Sequence, residues 1–463
     1  MTAALALLSL ALSAPVCGPL DADAALAVAA GNADEIAIKR AELAAAEADL
    51  TIARAARFFP VATATVLSGL VPEAHTRGPL SGIPGTDLLN PDTTNRSLSG
   101  LGPFVRVDVD VVQPIFTWGR LDAARDAATA GVKARQSLVA DKLSELRVRI
   151  IQLFWGETLA LRLLAIASDV EKNLAQVNDK LDELLKSGDD SVKPADRYRL
   201  EVYKGTLRKR KAEAQKGVDL AHGGLAATLG LAPAALTLRE GSLPLDPGDA
   251  PDAARARTEA ERQRPDVSAL DLAIAARGAE VRAAQAAMKP QFFLGATFSY
   301  AYASNRDTQL NPWIHDDFNH LGGGLGLGFR QDLAFPLLAA QASKASAEGE
   351  TLLRQREGLV RLVAQQVDAA LAEVQSARER LAAATSAFGS GKAWFRSAGL
   401  DFEAGVGEPK DVIEAYAAFI ELQVDQQQAA YDLLVARAKL DQASGVVPRV
   451  GPDPCAAAAA GLH

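Results

Sequence analysis

The stretch "FVRVDVDVVQPIF", Phe104–Phe116, decides the fold. Val105, Val107, Val109 and Val111 alternate with Arg106, Asp108 and Asp110. A period of two puts valines on one face of a strand and charges on the other. "TWGRLDAARDAATAGVKARQ" follows directly and has helical texture, which continues to about Ser187. A helix of roughly seventy residues reaches ~100 Å at ~1.5 Å per residue. A short, two-faced strand thus feeds a very long helix.

Working outward, the same order of elements occurs twice. In the first half a helix from about Leu20 ends at Pro60, and "VATATVLSGL" is a strand over about 61–70. A Gly/Pro/Asn/Thr-rich loop reaches Gly102, and the valine strand covers about 103–113. The long helix turns at Gly188 to Pro194 and returns from about Ala195 to Leu229. In the second half a helix ends at Pro290, and "QFFLGATFSYAYA" is a strand over about 291–302. The loop "SNRDTQLNPWIHDDFNH" follows, and "LGGGLGLGFRQ" is a strand over about 321–331. A long helix from about Leu338 to Phe402 turns at Gly405 to Pro409 and returns to about Ser444. The expected organisation is a leader at 1–18, a first repeat at 20–230, a linker at 231–252, a second repeat at 253–445 and a flexible tail at 446–463.

Composition narrows the class. The 49 basic residues against 57 acidic ones leave a net charge of −8, which disfavours a nucleic-acid partner. Cys17 and Cys455 form no cluster, so neither a disulfide scaffold nor a zinc site is expected. The opening "MTAALALLSLALSAPVCG" is an apolar run of signal-peptide length, although it lacks an early Lys or Arg. Val16 ahead of Cys17 fits a lipid-attachment signal poorly. No later run offers the ~18 consecutive apolar residues of a membrane helix. These features point to an exported chain that is either a soluble periplasmic protein or an outer-membrane β-barrel.

The long helices carry coiled-coil spacing. Val170, Leu174, Val177, Leu181 and Leu184 step by four and three, as do Val360, Val363, Val367, Ala370, Val374, Ala377 and Leu381. Phe419, Leu422, Gln426, Ala429, Leu433, Ala436 and Leu440 do so with one polar exception. A helical stalk without a pore would show the same periodicity. The strands argue against it. Phe292, Leu294, Ala296, Phe298, Tyr300 and Tyr302 share one face, while Gly295, Thr297 and Ser299 share the other. Strands of about ten residues cross a bilayer at barrel tilt. The valines would then face lipid, and Arg106, Asp108 and Asp110 the barrel lumen. A small soluble sheet capping a coiled coil predicts the same alternation. A spanning sheet must close, and known barrels need at least ~8 strands. One chain supplies four, so several chains must share one barrel.

Four stretches now carry a resemblance: "LDADAALAVAAGN" from Leu20, "VVQPIFTWGRLDAARDAA" from Val111, "AATLGL" from Ala226 and "FEAGVGEPKDVIEAY" from Phe402. In their order, spacing and duplication the chain resembles the TolC-like outer-membrane efflux proteins, from about Leu20 to Gly445. The resemblance implies a mainly α fold with a membrane β-barrel. Three chains of four strands would form a homotrimer with a 12-stranded barrel, continued by a hollow coiled-coil α-barrel that crosses the periplasm. It implies an outer-membrane location surrounded by lipid, and a periplasmic adaptor and an inner-membrane pump as partners. No cofactor is implied. The second half departs from the pattern: "QDLAFPLLAAQ" lacks the Gly-Arg of the first junction. Phe402 and Gly407 stand where the family's gate commonly has Tyr and Arg.

The resemblance also marks site residues. Asp411 and Glu414 match an acidic pair that lines the periplasmic entrance, and their spacing puts them on one helix face. In a trimer they would form carboxylate rings that favour cations. A solvated helix face explains such a pair equally well. Gly188, Gly405 and Gly407 mark the adaptor-facing tips. His315 and His320, beside Asp316 and Asp317, are read as a surface loop rather than a metal site, and His75 and His222 have no partner by spacing. No phosphate loop, nucleophile elbow or metalloprotease His pair occurs, so no enzymatic activity is expected. The expected function is the outer-membrane channel of a tripartite efflux system for small molecules, with the exit duct of a type I protein secretion system as the alternative; the strands argue against the third possibility, a structural coiled-coil protein without a pore.

Overall fold

The computed structural model describes residues 18–74, 100–187, 194–239, 241–245, 252–308, 315–404 and 406–455. Residues 1–17, with Cys17, lie outside these, as do His75, Gly188 and Gly405. The described chain is mostly helical with one antiparallel sheet. Its elements are α1 (Ala22–Asn32), α2 (Asp34–Phe58), β1 (Val61–Val71), β2 (Gly102–Phe116), α3 (Arg120–Ser187), α4 (Pro194–Leu229), α5 (Ala253–Gln263), α6 (Pro265–Ala287), β3 (Gln291–Ala303), β4 (His320–Arg330), α7 (Phe335–Glu403) and α8 (Pro409–Ala443). They fall into two compact units, one of residues 1–44, 133–271 and 354–463, the other of residues 45–132 and 272–353.

Two helices expected to be continuous are broken. Arg264 precedes Pro265, whose ring disfavours helical backbone at the residue before it, and Arg264 is extended at ψ 126°. Pro265 then opens α6, where its missing N–H costs nothing. Ala33, after the weak helix formers Gly31 and Asn32, is likewise extended and separates α1 from α2. The Asp21 carboxylate caps α1 by accepting from the Ala24 N–H at 2.9 Å.

In the first unit, Leu20, Leu26, Val28, Ile36, Ile150 and Leu229 build one core with Cys455, which is 4% exposed. The stretch read as a flexible tail is therefore anchored at Cys455. A second core joins α7 and α8 through Val374, Ala377, Leu381, Leu433 and Leu440, the residues of the expected seam. Gln426, its polar exception, is buried and donates to Thr385 Oγ1 at 3.2 Å. The α3 seam is less regular, with Val170 buried and Val177 46% exposed. Over one stretch α3 is apolar and long enough to cross a membrane by length and composition alone.

In the second unit the sheet order is β1-β2-β3-β4. Val109 stands opposite Ala64 and Phe298, and Asp108 opposite Thr65 and Ser299. The register shifts between Pro114 and Phe116, beyond the last β1 pairing at Val112. A proline, which has no N–H to give, is tolerated at such a bulge. The next turn enters α3 through two left-handed residues, Trp118 (φ 53°) and Gly119 (φ 81°). Glycine takes that backbone freely, whereas Trp118 is strained by about 1–2 kcal/mol.

Candidate functional site: sheet faces and hairpin tip

Directly opposed residues in an antiparallel sheet share a face, so the register sorts every strand residue. One face carries Val105, Val107, Val109 and Val111 beside Phe298, Tyr300 and Tyr302 of β3 and Leu321, Leu325 and Leu327 of β4. Leu325 and Leu327 are 74% and 80% exposed, far from a packed core. The other face carries Arg106, Asp108 and Asp110, opposite Thr63 and Thr65 of β1 and Thr297 and Ser299 of β3.

The polar face is wired across three strands. Arg106 Nε lies 2.8 Å from Asp108 Oδ2. Ser299 Oγ donates to Asp108 Oδ1 at 2.6 Å and stands 2.7 Å from His320 Nε2. His320 thus opens β4 rather than ending the loop as expected, and its ring centre lies 4.8 Å from that of His315, the two planes tilted by 51°. His315 in turn lies 3.5 Å from Asp317. No group of three metal-ligating side chains occurs among the described residues. Asp110 remains exposed.

At the helix-proximal end of the sheet, aromatic side chains are exposed: Phe58, Phe59, Phe116, Phe292 and Phe329. The Trp118 Nε1 donates to the Pro290 carbonyl at 2.8 Å, and Lys289 Nζ stands 4.9 Å from the Trp118 ring centre. Arg57 pairs with Asp122 across the α2–α3 junction. None of these contacts was legible beforehand, because Trp118 and Pro290 are 172 residues apart.

At the opposite end of the helices, the Val406 and Gly407 N–H groups both donate to the Asp401 carbonyl at 3.0 Å and close α7. A Cβ on Gly407 would meet Phe402 N at 2.9 Å, so the turn admits only glycine there. Asp411 and Glu414 are both exposed in the first turns of α8, and Lys410 lies 3.7 Å from Glu414. Between α7 and α8, Phe395 stacks on Phe419 at 5.8 Å and Phe388 stacks on Phe419 at 5.4 Å. Tyr416 Oη accepts from Asn173 of α3 at 2.7 Å.

One titratable pair escaped the sequence reading. His222 of α4, expected to be alone, stands 3.0 Å from Glu157 of α3 and 3.0 Å from the Pro233 carbonyl. Its pKa is raised by the Pro233 carbonyl and Glu157, against partial burial. The Asp141 carboxyl is also pushed up, by burial and then by the charges of Asp266 and Glu145.

Comparison with known proteins gives this geometry a context. The outer membrane efflux protein family model matches residues 256–446. No curated protein sequence matches. Among solved structures, the CmeC outer membrane channel of Campylobacter jejuni is 14% identical, with 92% of this chain and 85% of that one covered at a TM-score of 0.71. The MtrE outer membrane channel of Neisseria gonorrhoeae, in its open state, is 16% identical over 93% and 89% at 0.70. The outer membrane protein VceC of Vibrio cholerae is 15% identical over 92% and 96% at 0.70. Identities this low speak to fold alone. The chain thus resembles the TolC-like outer-membrane efflux proteins, in fold over nearly its whole length and in family sequence over residues 256–446.

Proposed function

We propose that this chain is the outer-membrane channel subunit of a tripartite efflux system, a passive exit duct for small molecules across the periplasm and outer membrane. The carrying observation is the two-faced, four-stranded sheet with two open edges. Among the described residues β1 and β4 each leave one edge unpaired, and each is 11 residues long. An open edge in lipid costs several kcal/mol per unsatisfied group, so β4 of one copy must pair with β1 of the next. Three copies of a four-stranded sheet give a 12-stranded barrel. Along β3, Phe292 to Tyr302 covers ~33 Å at ~3.3 Å per residue, or ~25 Å of height at a tilt near 40°. That is the height of the apolar band of an outer-membrane barrel.

In this reading the valine face meets lipid, and Arg106, Asp108 and Asp110 line the lumen. The long hairpins carry the duct into the periplasm, toward an adaptor at the tips and an inner-membrane pump that supplies the energy. Asp411 and Glu414 ring the entrance. The match of residues 256–446 to the outer membrane efflux protein family supports an exit duct, and the exit duct of a type I protein secretion system is the alternative reading. Mass measurement of the detergent-solubilised protein tests the assembly. A trimer is expected, and a stable, fully helical monomer would overturn the reading.

A further inference from the structure

The ring row at the helix-proximal end of the apolar face ends in a placed cation. Phe329, Phe292 and Phe116 stand at one level across β4, β3 and β2, with ring centres 6.3 Å and 6.5 Å apart. Trp118 continues the row 4.9 Å beyond Phe116. Its indole N–H is already spent on the Pro290 carbonyl, so the ring serves as a platform and not as a donor. Lys289 Nζ is set 4.9 Å from that platform. Lys289 and Arg330 are exposed and, among the described residues, have no carboxylate within ion-pair distance. Several cations of the neighbouring helices are paired instead: Arg57 with Asp122, Arg125 with Asp126, and Arg277 with Glu348.

An unpaired ammonium beside an exposed aromatic row suits a ligand that is apolar on one side and anionic on the other. An aromatic row sits at the level where hydrocarbon gives way to head groups, and a long cationic side chain reaches outward from it to phosphate. We propose that Lys289 and the Trp118 platform form a phospholipid head-group site at the periplasmic leaflet of the outer membrane, one per chain, selective for anionic phospholipids. The proposal rests on the reading that the apolar face lies in the membrane with the helices on the periplasmic side. The acyl chains run along Phe116, Phe292 and Phe329, the phosphate meets Lys289, and Arg330 adds to the local positive potential.

The test uses the full chain in detergent. Native mass spectrometry counts the phosphatidylglycerol and phosphatidylcholine retained by wild type, Lys289→Gln, Lys289→Arg and a distant control, Lys209→Gln on α4. Wild type should retain phosphatidylglycerol preferentially. Lys289→Gln should weaken that retention about fivefold, the effect of one basic residue near a membrane surface. Lys289→Arg and Lys209→Gln should leave it unchanged. In parallel, lipids with dibrominated acyl chains should quench the fluorescence that wild type has and Trp118→Phe lacks. Quenching together with undiminished retention in Lys289→Gln refutes the head-group site and leaves the membrane reading intact. Absence of Trp118 quenching removes the membrane reading and the site together.

Discussion

His222 has an acceptor at each ring nitrogen: Glu157 Oε1 at 3.0 Å from Nδ1 and the Pro233 carbonyl at 3.0 Å from Nε2. A carbonyl only accepts, and so does an ionised carboxylate. With Glu157 ionised both nitrogens donate, and His222 is read as an imidazolium, in line with the raised direction of its pKa. The Pro233 carbonyl is the largest cause of its raised pKa, with Glu157 adding to it. The folded chain thus binds this proton more tightly than the unfolded chain, whose histidine titrates near pH 6.5. The stabilisation is complete below about pH 6.5 and is lost as pH rises through the higher folded-state value.

Replacing His222 by Leu strands a carboxylate whose side chain is 7% exposed. Its second oxygen already has no hydrogen-bond partner among the described residues. Breaking a buried pair costs about 3–5 kcal/mol, and the partial exposure of His222 places the loss at the lower end, about 3 kcal/mol. Thermal unfolding of the detergent-solubilised protein should show a lower midpoint for His222→Leu at pH 6 and a narrowing gap toward pH 9. Hydrogen exchange over residues 231–239 should speed up in the variant, because the 3-10 turn at Pro233–Ala235 loses its tether. A variant whose midpoint runs parallel to wild type over the whole pH range would refute the imidazolium assignment.

Three further outcomes are expected. Asp141→Asn should raise stability by about 1 kcal/mol at neutral pH, since burial and the charges of Asp266 and Glu145 push the Asp141 pKa up. The penalty it removes is present above the folded-state pKa and fades as pH falls toward about 4, so scans at pH 7 and 4 should differ. Val109→Arg should cost about 2–4 kcal/mol near the bilayer midplane, while Asp108→Asn, which keeps an oxygen toward Ser299, should cost about 1 kcal/mol; equal assembly defects in outer membranes would show the faces to be misassigned. Asp411→Ala with Glu414→Ala should lower cation selectivity and block by multivalent cations in planar bilayers, with Asp110→Ala as the weaker control, and unchanged selectivity would reduce the pair to a solvated helix face.

The sequence shows faces well and neighbours poorly. The alternation of valine with charge in β2 requires only local chain geometry, and the same holds for the apolar seam of α7, where Val363 and Val367 pack on α5 and α6, Val374 packs on α8, and each is 1% exposed or less. Helix breaks were half legible. Pro265 announced one, but Ala33 had no proline to mark it. Side-chain pairings were not legible at all. Glu157 and His222 are 65 residues apart and meet because α3 and α4 pack against each other. Lys410, one turn before Glu414, is legible as its i,i+4 neighbour and lies 3.7 Å from that carboxylate. It leaves Asp411 as the less compensated half of the pair.

The polar face shows why register is the missing information. No hairpin joins β2 to β3, so no turn fixes how they align. Asp108 and Ser299, 191 residues apart, nevertheless meet at 2.6 Å. A slip of one residue would turn every β3 side chain to the opposite face. It would set Ser299 among the valines and bring Phe298 and Tyr300 beside Arg106 and Asp108. The apolar face excludes that slip, because Phe298, Tyr300 and Tyr302 pair with Val109, Val107 and Val105 only in the observed register. A slip of two keeps the faces and must be excluded by specific contacts. The Asp108–Ser299 hydrogen bond and the shift at Pro114 do this, since both are tied to one alignment. The valines thus choose the face, and the few polar residues choose the alignment.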